Sequence, residues 1–166
     1  MLLEARVARS VTEAGAVRLA RELYGIAATA RALPGEYDDN FHMRSRNGHG
    51  FVLKVMHPAR ERSFIDMQCR ALQHLAQRAP QLPLPRVIPN RQGELFSSTM
   101  AAADGSTRLV WLLSFVNGTV LAEVRPHTNE LLGDLGQFLG EMDAALQSFD
   151  HAAAHRELKW DSSRAA

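Results

Sequence analysis

The spacing of apolar residues switches back and forth between a helical and an extended period, and nearly every switch falls on a residue that turns or stops a chain. Few folds satisfy such a pattern, because period 3.6 and period 2 bury different faces and cannot be exchanged along one segment. Val17, Ala20, Leu23 and Tyr24 share one helical face, with Thr12 placed to cap the start and Gly25 to stop the end. From Ile26 onward the pattern breaks into short segments at 27–33, 40–45 and 50–56, punctuated by Pro34-Gly35 and Asn47-Gly48. These predict three antiparallel strands, the second and third joined by a tight turn, since Asn and Gly accept positive φ at little cost. Phe64, Ile65, Cys69, Leu72 and Leu75 then predict an amphipathic helix from about residue 60 to Arg78, closed by the Pro80 to Pro85 run. Two further strands follow at 95–100 and 107–115, joined around Asp104-Gly105. A last helix carries Leu131, Leu135, Phe138, Leu139, Met142, Leu146 and Phe149 on one face, with Pro126 and Thr128 at its start. The sum is an α+β domain: an antiparallel sheet of about five strands with a helix packed on it, plus N-terminal and C-terminal helices.

Length and composition narrow the functional classes. A chain of 166 residues suits one compact domain, and 46% hydrophobic against 22% charged residues excludes a disordered or fibrous chain. The net charge of +1 comes without a long run of either sign, which argues against a nucleic-acid or anionic-lipid partner. No apolar stretch approaches the ~20 residues of a membrane span, and no basic segment followed by an apolar core opens the chain, so a cytoplasmic protein is expected. Cys69 is the only cysteine and reads as a small buried side chain on a helix. His42, His49, His57, His74, His127 and His151 are scattered over expected loops and exposed positions without metal-ligand spacing. Gly133, Gly136 and Gly140 mark a small-residue face on the last helix, expected to allow close helix packing.

Individual residues carry little alone. Lys54, in Phe51-Val-Leu-Lys-Val55, sits on the third strand, where a lysine is usually a solvated side chain at the sheet surface. Between strands one and two lies Leu33-Pro-Gly-Glu-Tyr-Asp-Asp-Asn-Phe-His-Met43. Its Gly35, Asp38, Asp39 and Asn40 suit a tight turn that presents backbone N–H groups to an anion, and equally an ordinary acidic hairpin loop. Asp66 and Glu61 on the following helix read as solvated charges, Glu61 also favourably placed towards the helix dipole. The run Arg108-Leu-Val-Trp-Leu-Leu-Ser-Phe-Val-Asn-Gly118 reads as a buried strand ending in a turn.

Taken together, Tyr37-Asp-Asp-Asn-Phe41, Leu53-Lys-Val55, Phe115-Val-Asn-Gly118 and Leu121-Ala-Glu-Val124 resemble the N-terminal lobe of the aminoglycoside phosphotransferase and choline kinase-like superfamily. Within it they are most similar to hydroxylysine kinase and to the phosphotransferase modules fused to class III aminotransferases. The resemblance implies that Lys54 grips the phosphates of ATP or GTP, and that Asp66, or alternatively Glu61, orients Lys54, although the family commonly uses the longer glutamate for both Asp66's position and its role. It further implies that the 35–41 loop, with Gly35, Asp38 and Asn40, covers the phosphates. The carbonyl of Ser114 and the N–H of Val116 would receive the purine. Residues 1–118 would form the nucleotide-binding lobe ending in a hinge, and 119–166 a linker and first helical segment towards a larger lobe. The family's His-Gly-Asp-x-x-x-x-Asn loop and later Asp-x-Asp segment do not occur in the chain, and His155-Arg156 is not that loop. No catalytic residue and no ligand for Mg²⁺ is therefore expected among these residues. The complete enzyme would phosphorylate a hydroxyl of an amino alcohol, hydroxylated amino acid or aminoglycoside-like acceptor. Leu135, Leu139 and Met142 would face the larger lobe or a second copy. The rival expectation is a non-catalytic interaction or scaffold domain of a larger protein.

Overall fold

The computed structural model describes residues 11–100 and 105–156. Helix α1 (Glu13–Tyr24) begins where the Thr12 hydroxyl accepts the Gly15 N–H at 3.1 Å, and it ends at Gly25, whose φ of 71° only glycine adopts without strain. Strands β1 (Ala28–Leu33), β2 (Asp39–Ser45) and β3 (Gly50–Val55) form an antiparallel meander. The β2–β3 turn places Gly48 at φ 86°, as its sequence predicts. Helix α2 (Arg62–Arg78) follows, then β4 (Val87–Ile88), β5 (Ser97–Met100), β6 (Thr107–Ser114) and helix α3 (Asn129–Leu146).

The sheet runs β1-β2-β3-β6-β4, with β5 also paired to β6. It therefore has six strands where about five were expected. The additional one, β4, is two residues long and emerges from a proline-rich run that reads only as a helix stop. The β5–β6 hairpin forms as anticipated, although Asp104 of its turn lies outside the described residues. Of the segment 155–160, only His155 and Arg156 fall within them.

Alternation along the strands divides the core in two. Phe41, Met43, Leu53, Val55, Val110 and Leu112 pack on one side against Ala16 and Ala20 of α1. Leu109, Trp111 and Leu113 point the other way and pack with Ile65 and Cys69 of α2, Met56 and Phe96. Each fully buried Leu, Phe or Val contributes about 1.5–3 kcal/mol through removal from water, so the sheet is fixed from both sides. On the second side, however, α2 covers the β6 half. Asn40, His42, Val52 and Lys54, which share that face of β2 and β3, remain only half-buried, with Val52 at the margin of the α2 cluster.

The Thr128 hydroxyl caps α3 through the Leu131 N–H at 3.2 Å, but α3 buries no side chain completely. Gly133, Gly136 and Gly140 do not mark close packing: a Cβ at any of them would meet open space. That corrects the expectation for these glycines among the described residues.

Candidate functional site

The half-buried face of β2 and β3 is organised around Lys54. Its strand register sets Asn40 on one side and Trp111 on the other. Lys54 Nζ donates to Asn40 Oδ1 at 2.9 Å and lies 5.9 Å from the centroid of the Trp111 ring. Burial pushes the ammonium below its ordinary pKa, and Arg60 acts in the same direction, while the Asp38 carboxylate opposes both. This is no freely solvated lysine.

Asn40 connects the lysine to the loop between β1 and β2. Its Nδ2 donates to the Asp38 carbonyl at 3.3 Å and to the Pro34 carbonyl at 3.4 Å. Gly35 is needed here for closeness rather than for an unusual φ. A Cβ on it would run into the Asp38 carbonyl oxygen and lie 2.6 Å from Asn40 Nδ2. Asp38 anchors the loop from below: Oδ1 accepts the His57 backbone N–H at 2.8 Å, and Arg60 reaches both carboxylate oxygens, at 3.0 and 3.3 Å. On the α1 side, Asp39 Oδ2 accepts the Val11 N–H at 3.2 Å. Adjacent aspartates thus pin the loop to opposite sides of the sheet, as the period-two alternation of a strand requires.

Asp66 does not join this group. Its Oδ2 accepts Arg70 Nε at 2.8 Å and His151 Nε2 at 3.1 Å, and it lines a groove of about 570 Å³ with Arg62, Arg70 and the 93–96 segment at the β5 side. Burial works against its ionisation, but the bonds from Arg70 and His151 outweigh burial and hold the carboxyl below its usual range. The ring of His151 accepts the Ala153 N–H on Nδ1, which assigns the proton to Nε2 and makes that nitrogen the donor. Glu61, the other candidate partner, lies 3.9 Å from Arg156 at the start of α2. The carboxylate whose charge acts on Lys54 is instead Asp38, a loop residue.

At the far end of the sheet from the Lys54 loop, Ser114 ends β6. Its N–H donates to the Arg86 carbonyl at 2.8 Å, while its hydroxyl, in place of its carbonyl, accepts the Arg86 N–H at 2.8 Å. The Phe115 N–H donates to the Gly50 carbonyl at 3.0 Å, and the Phe115 ring packs on His42 with centroids 4.2 Å apart. A Cβ at Gly50 would sit 2.9 Å from Phe115 Cβ and 3.4 Å from His42 Nε2, so the missing side chain is what allows that contact. Val116 follows and is exposed. His42 was read from sequence as one of several scattered histidines. Its step of two from Asn40 along a strand was the available signal that both share a face.

Among the described residues no group of three or more His, Cys, Asp or Glu side chains is arranged to hold a metal ion, and no helix is long and apolar enough to cross a membrane. Two of the other histidines are less exposed than expected: His57 is buried, and His74 Nε2 lies 2.9 Å from the Ala145 carbonyl, whereas His49 and His127 are exposed.

An antiparallel sheet with α1 on one face and α2 over part of the other, a lysine on the half-open face and a glycine-bearing loop beside it define the smaller lobe of a kinase-like fold. The chain belongs to the phosphotransferase enzyme family, whose profile matches residues 29–166. It is 32% identical over 136 residues to a hydroxylysine kinase of Danio rerio, an alignment covering 79% of this chain and 38% of that protein. An amicoumacin kinase solved in complex with AMP-PNP, Ca²⁺ and Ami superposes with a TM-score of 0.71 at 15% identity, over 93% of this chain and 46% of that one. A microcompartment-associated aminopropanol kinase gives 0.65 at 20% identity, over 87% and 44%. The chain spans less than half the length of each of these relatives, which are small-molecule kinases. The two solved structures share this fold.

Proposed function

We propose that residues 1–118 form the nucleotide-holding lobe of a small-molecule kinase, and that 119–166 lead towards the part that carries acceptor and catalytic groups. The observation that supports this most is the Lys54 ammonium, half-buried on an otherwise uncovered sheet face and hydrogen-bonded into the Gly35 loop. An ammonium kept from water, with N–H groups to spare, favours a polyanion that restores its charge stabilisation. The nucleotide is ATP or GTP. Its phosphates lie at Lys54 under the Gly35, Asp38 and Asn40 loop, and its purine meets the Ser114 carbonyl and Val116 N–H beside the His42–Phe115 pair. Because the Ser114 hydroxyl takes the Arg86 N–H, the carbonyl of that residue is left for a base.

Asp66 serves a different purpose from the one its alignment implies, holding the 151–154 segment against α2. The residues described do not fit a Mg²⁺ site, since Asp38 is committed to Arg60 and the His57 N–H, and no second carboxylate joins it. The acceptor is a hydroxyl on a small amine, in the class of hydroxylated amino acids, amino alcohols and aminoglycosides, and the reaction belongs to the cytoplasm, where ATP and GTP are available. The exposed apolar side of α3 meets the acceptor-carrying part or a second copy.

Calorimetric titration of the chain with ATP and with GTP in Mg²⁺, alongside Lys54→Ala, tests the reading. Binding that weakens on the order of 10-fold or more in the variant is expected, the loss of hydrogen bonds to a charged group. Equal affinity in wild type and variant removes Lys54 from the site, and no binding at millimolar nucleotide favours a scaffold domain.

A further inference from the structure

We infer that Asn40 is the positioning residue of this site, taking over from a helix carboxylate the task of aiming Lys54 and tying the lysine to the phosphate-covering loop so that the two respond together. The inference rests on the nucleotide reading above. Three contacts from one amide carry it: Oδ1 accepts Lys54 Nζ at 2.9 Å, while Nδ2 donates to the carbonyls of Asp38 at 3.3 Å and Pro34 at 3.4 Å. Only an amide offers an acceptor on one side and two donors on the other, so the site dictates both the residue type and its orientation. Gly35 makes room for it, because a Cβ there would lie 2.6 Å from Nδ2. The helix carboxylate that might have competed, Asp66, is held by Arg70 and His151.

An amide partner has a chemical consequence that a carboxylate lacks. It orients the ammonium without neutralising it, and one bond to Asn40 leaves two of the three Lys54 N–H groups for phosphate oxygens. When those oxygens draw on Lys54, the pull passes through Asn40 to the 34–38 backbone above them.

Asn40→Asp separates the two halves of the device, being nearly isosteric. The carboxylate attracts Lys54 and cannot donate to the Asp38 and Pro34 carbonyls, which it repels. Two readouts are taken on the 166-residue chain: the pH titration of Lys54, followed by pH-dependent acylation and mass spectrometry, and the affinities for ATP and for adenosine in Mg²⁺. In Asn40→Asp the Lys54 titration moves upward, ATP binding weakens on the order of 10-fold, and adenosine binding stays within about twofold. Asn40→Ala weakens ATP similarly but leaves Lys54 without an upward shift, which excludes general loop damage as the cause. If ATP binds the wild type and is lost in Lys54→Ala, yet Asn40→Asp leaves both the titration and ATP affinity unchanged, the positioning role is wrong. If the Lys54 titration shifts as expected but the wild type binds no ATP, the nucleotide reading has failed instead, and the coupling to phosphate fails with it.

Discussion

Gly35 shows how narrowly single residues set this site. Its φ is ordinary, and what it supplies is the absence of a Cβ between the Asp38 carbonyl and the Asn40 amide. Gly35→Ala would force that loop off Asn40, because both neighbours are part of the backbone or of a fixed hydrogen-bond network and neither yields cheaply. Overpacking of this kind costs about 1–3 kcal/mol. Chemical denaturation of Gly35→Ala should report a loss in that range, and ATP affinity should fall with it; an alanine tolerated without loss in either measurement would mean that the loop does not depend on this contact. At this scale Lys54, Gly35 and Asn40 were singled out only by the combined motifs of the family resemblance, because a strand lysine and a turn-rich loop are each ordinary features alone. His42 was not. A histidine's meaning lies in what its ring touches, here Phe115 across a gap opened by Gly50, and three residues from separate segments leave no local pattern.

At the scale of elements, the strands followed from their punctuation: Asn47-Gly48 and Gly25 mark ends that backbone geometry enforces through positive φ. Strand β4 escaped because two residues cannot display a period, and it exists only through pairing with β6. The orientation of α2 about its axis proved the harder matter. Its apolar stripe predicted which side faces the sheet, with Ile65 and Cys69 inside and the Cys69 thiol pushed up to about 12 by burial. Yet the stripe did not tell whether Asp66, adjacent to it, turns towards Lys54 or away. Tertiary contacts with His151, 85 positions along the chain, decide that. Because the folded Asp66 carboxyl ionises below its ordinary value near 3.9, its contribution is complete above about pH 4 and is lost as pH falls through the folded value. Asp66→Asn should therefore cost under about 1 kcal/mol at neutral pH, as a partly exposed pair does. The gap to wild type should narrow as pH falls below the ordinary carboxylate value of about 4, checked by denaturation at neutral and at acid pH. ATP affinity should remain within about twofold. A loss of nucleotide binding matching that of Lys54→Ala would restore the lysine–helix pairing that the family resemblance implies.

Over the whole molecule, burial is distributed unevenly. Among the described residues the sheet, its two helices and Met56 just past β3 hold every fully buried large side chain, whereas Val116, Val120, Leu121, Leu132 and Leu139 are all exposed, the last two at 49% and 44%. A helix with a periodic apolar stripe and no completely buried residue contributes little to the stability of the part described, since surface substitutions away from packed contacts change it by within about 0.5 kcal/mol. Its apolar residues instead add up to a surface suited to another body. Stability and association should consequently separate. Replacing Leu132 and Leu139 together by glutamate should leave the thermal midpoint of the chain nearly unchanged while abolishing concentration-dependent self-association in sedimentation velocity. A wild-type chain that stays strictly monomeric at high concentration would show that α3 does not recruit a second copy, leaving the acceptor-carrying part as its proposed neighbour. A large drop in the midpoint of the double variant would show that these leucines already stabilise the lobe, and that the sheet and α3 are one cooperative unit.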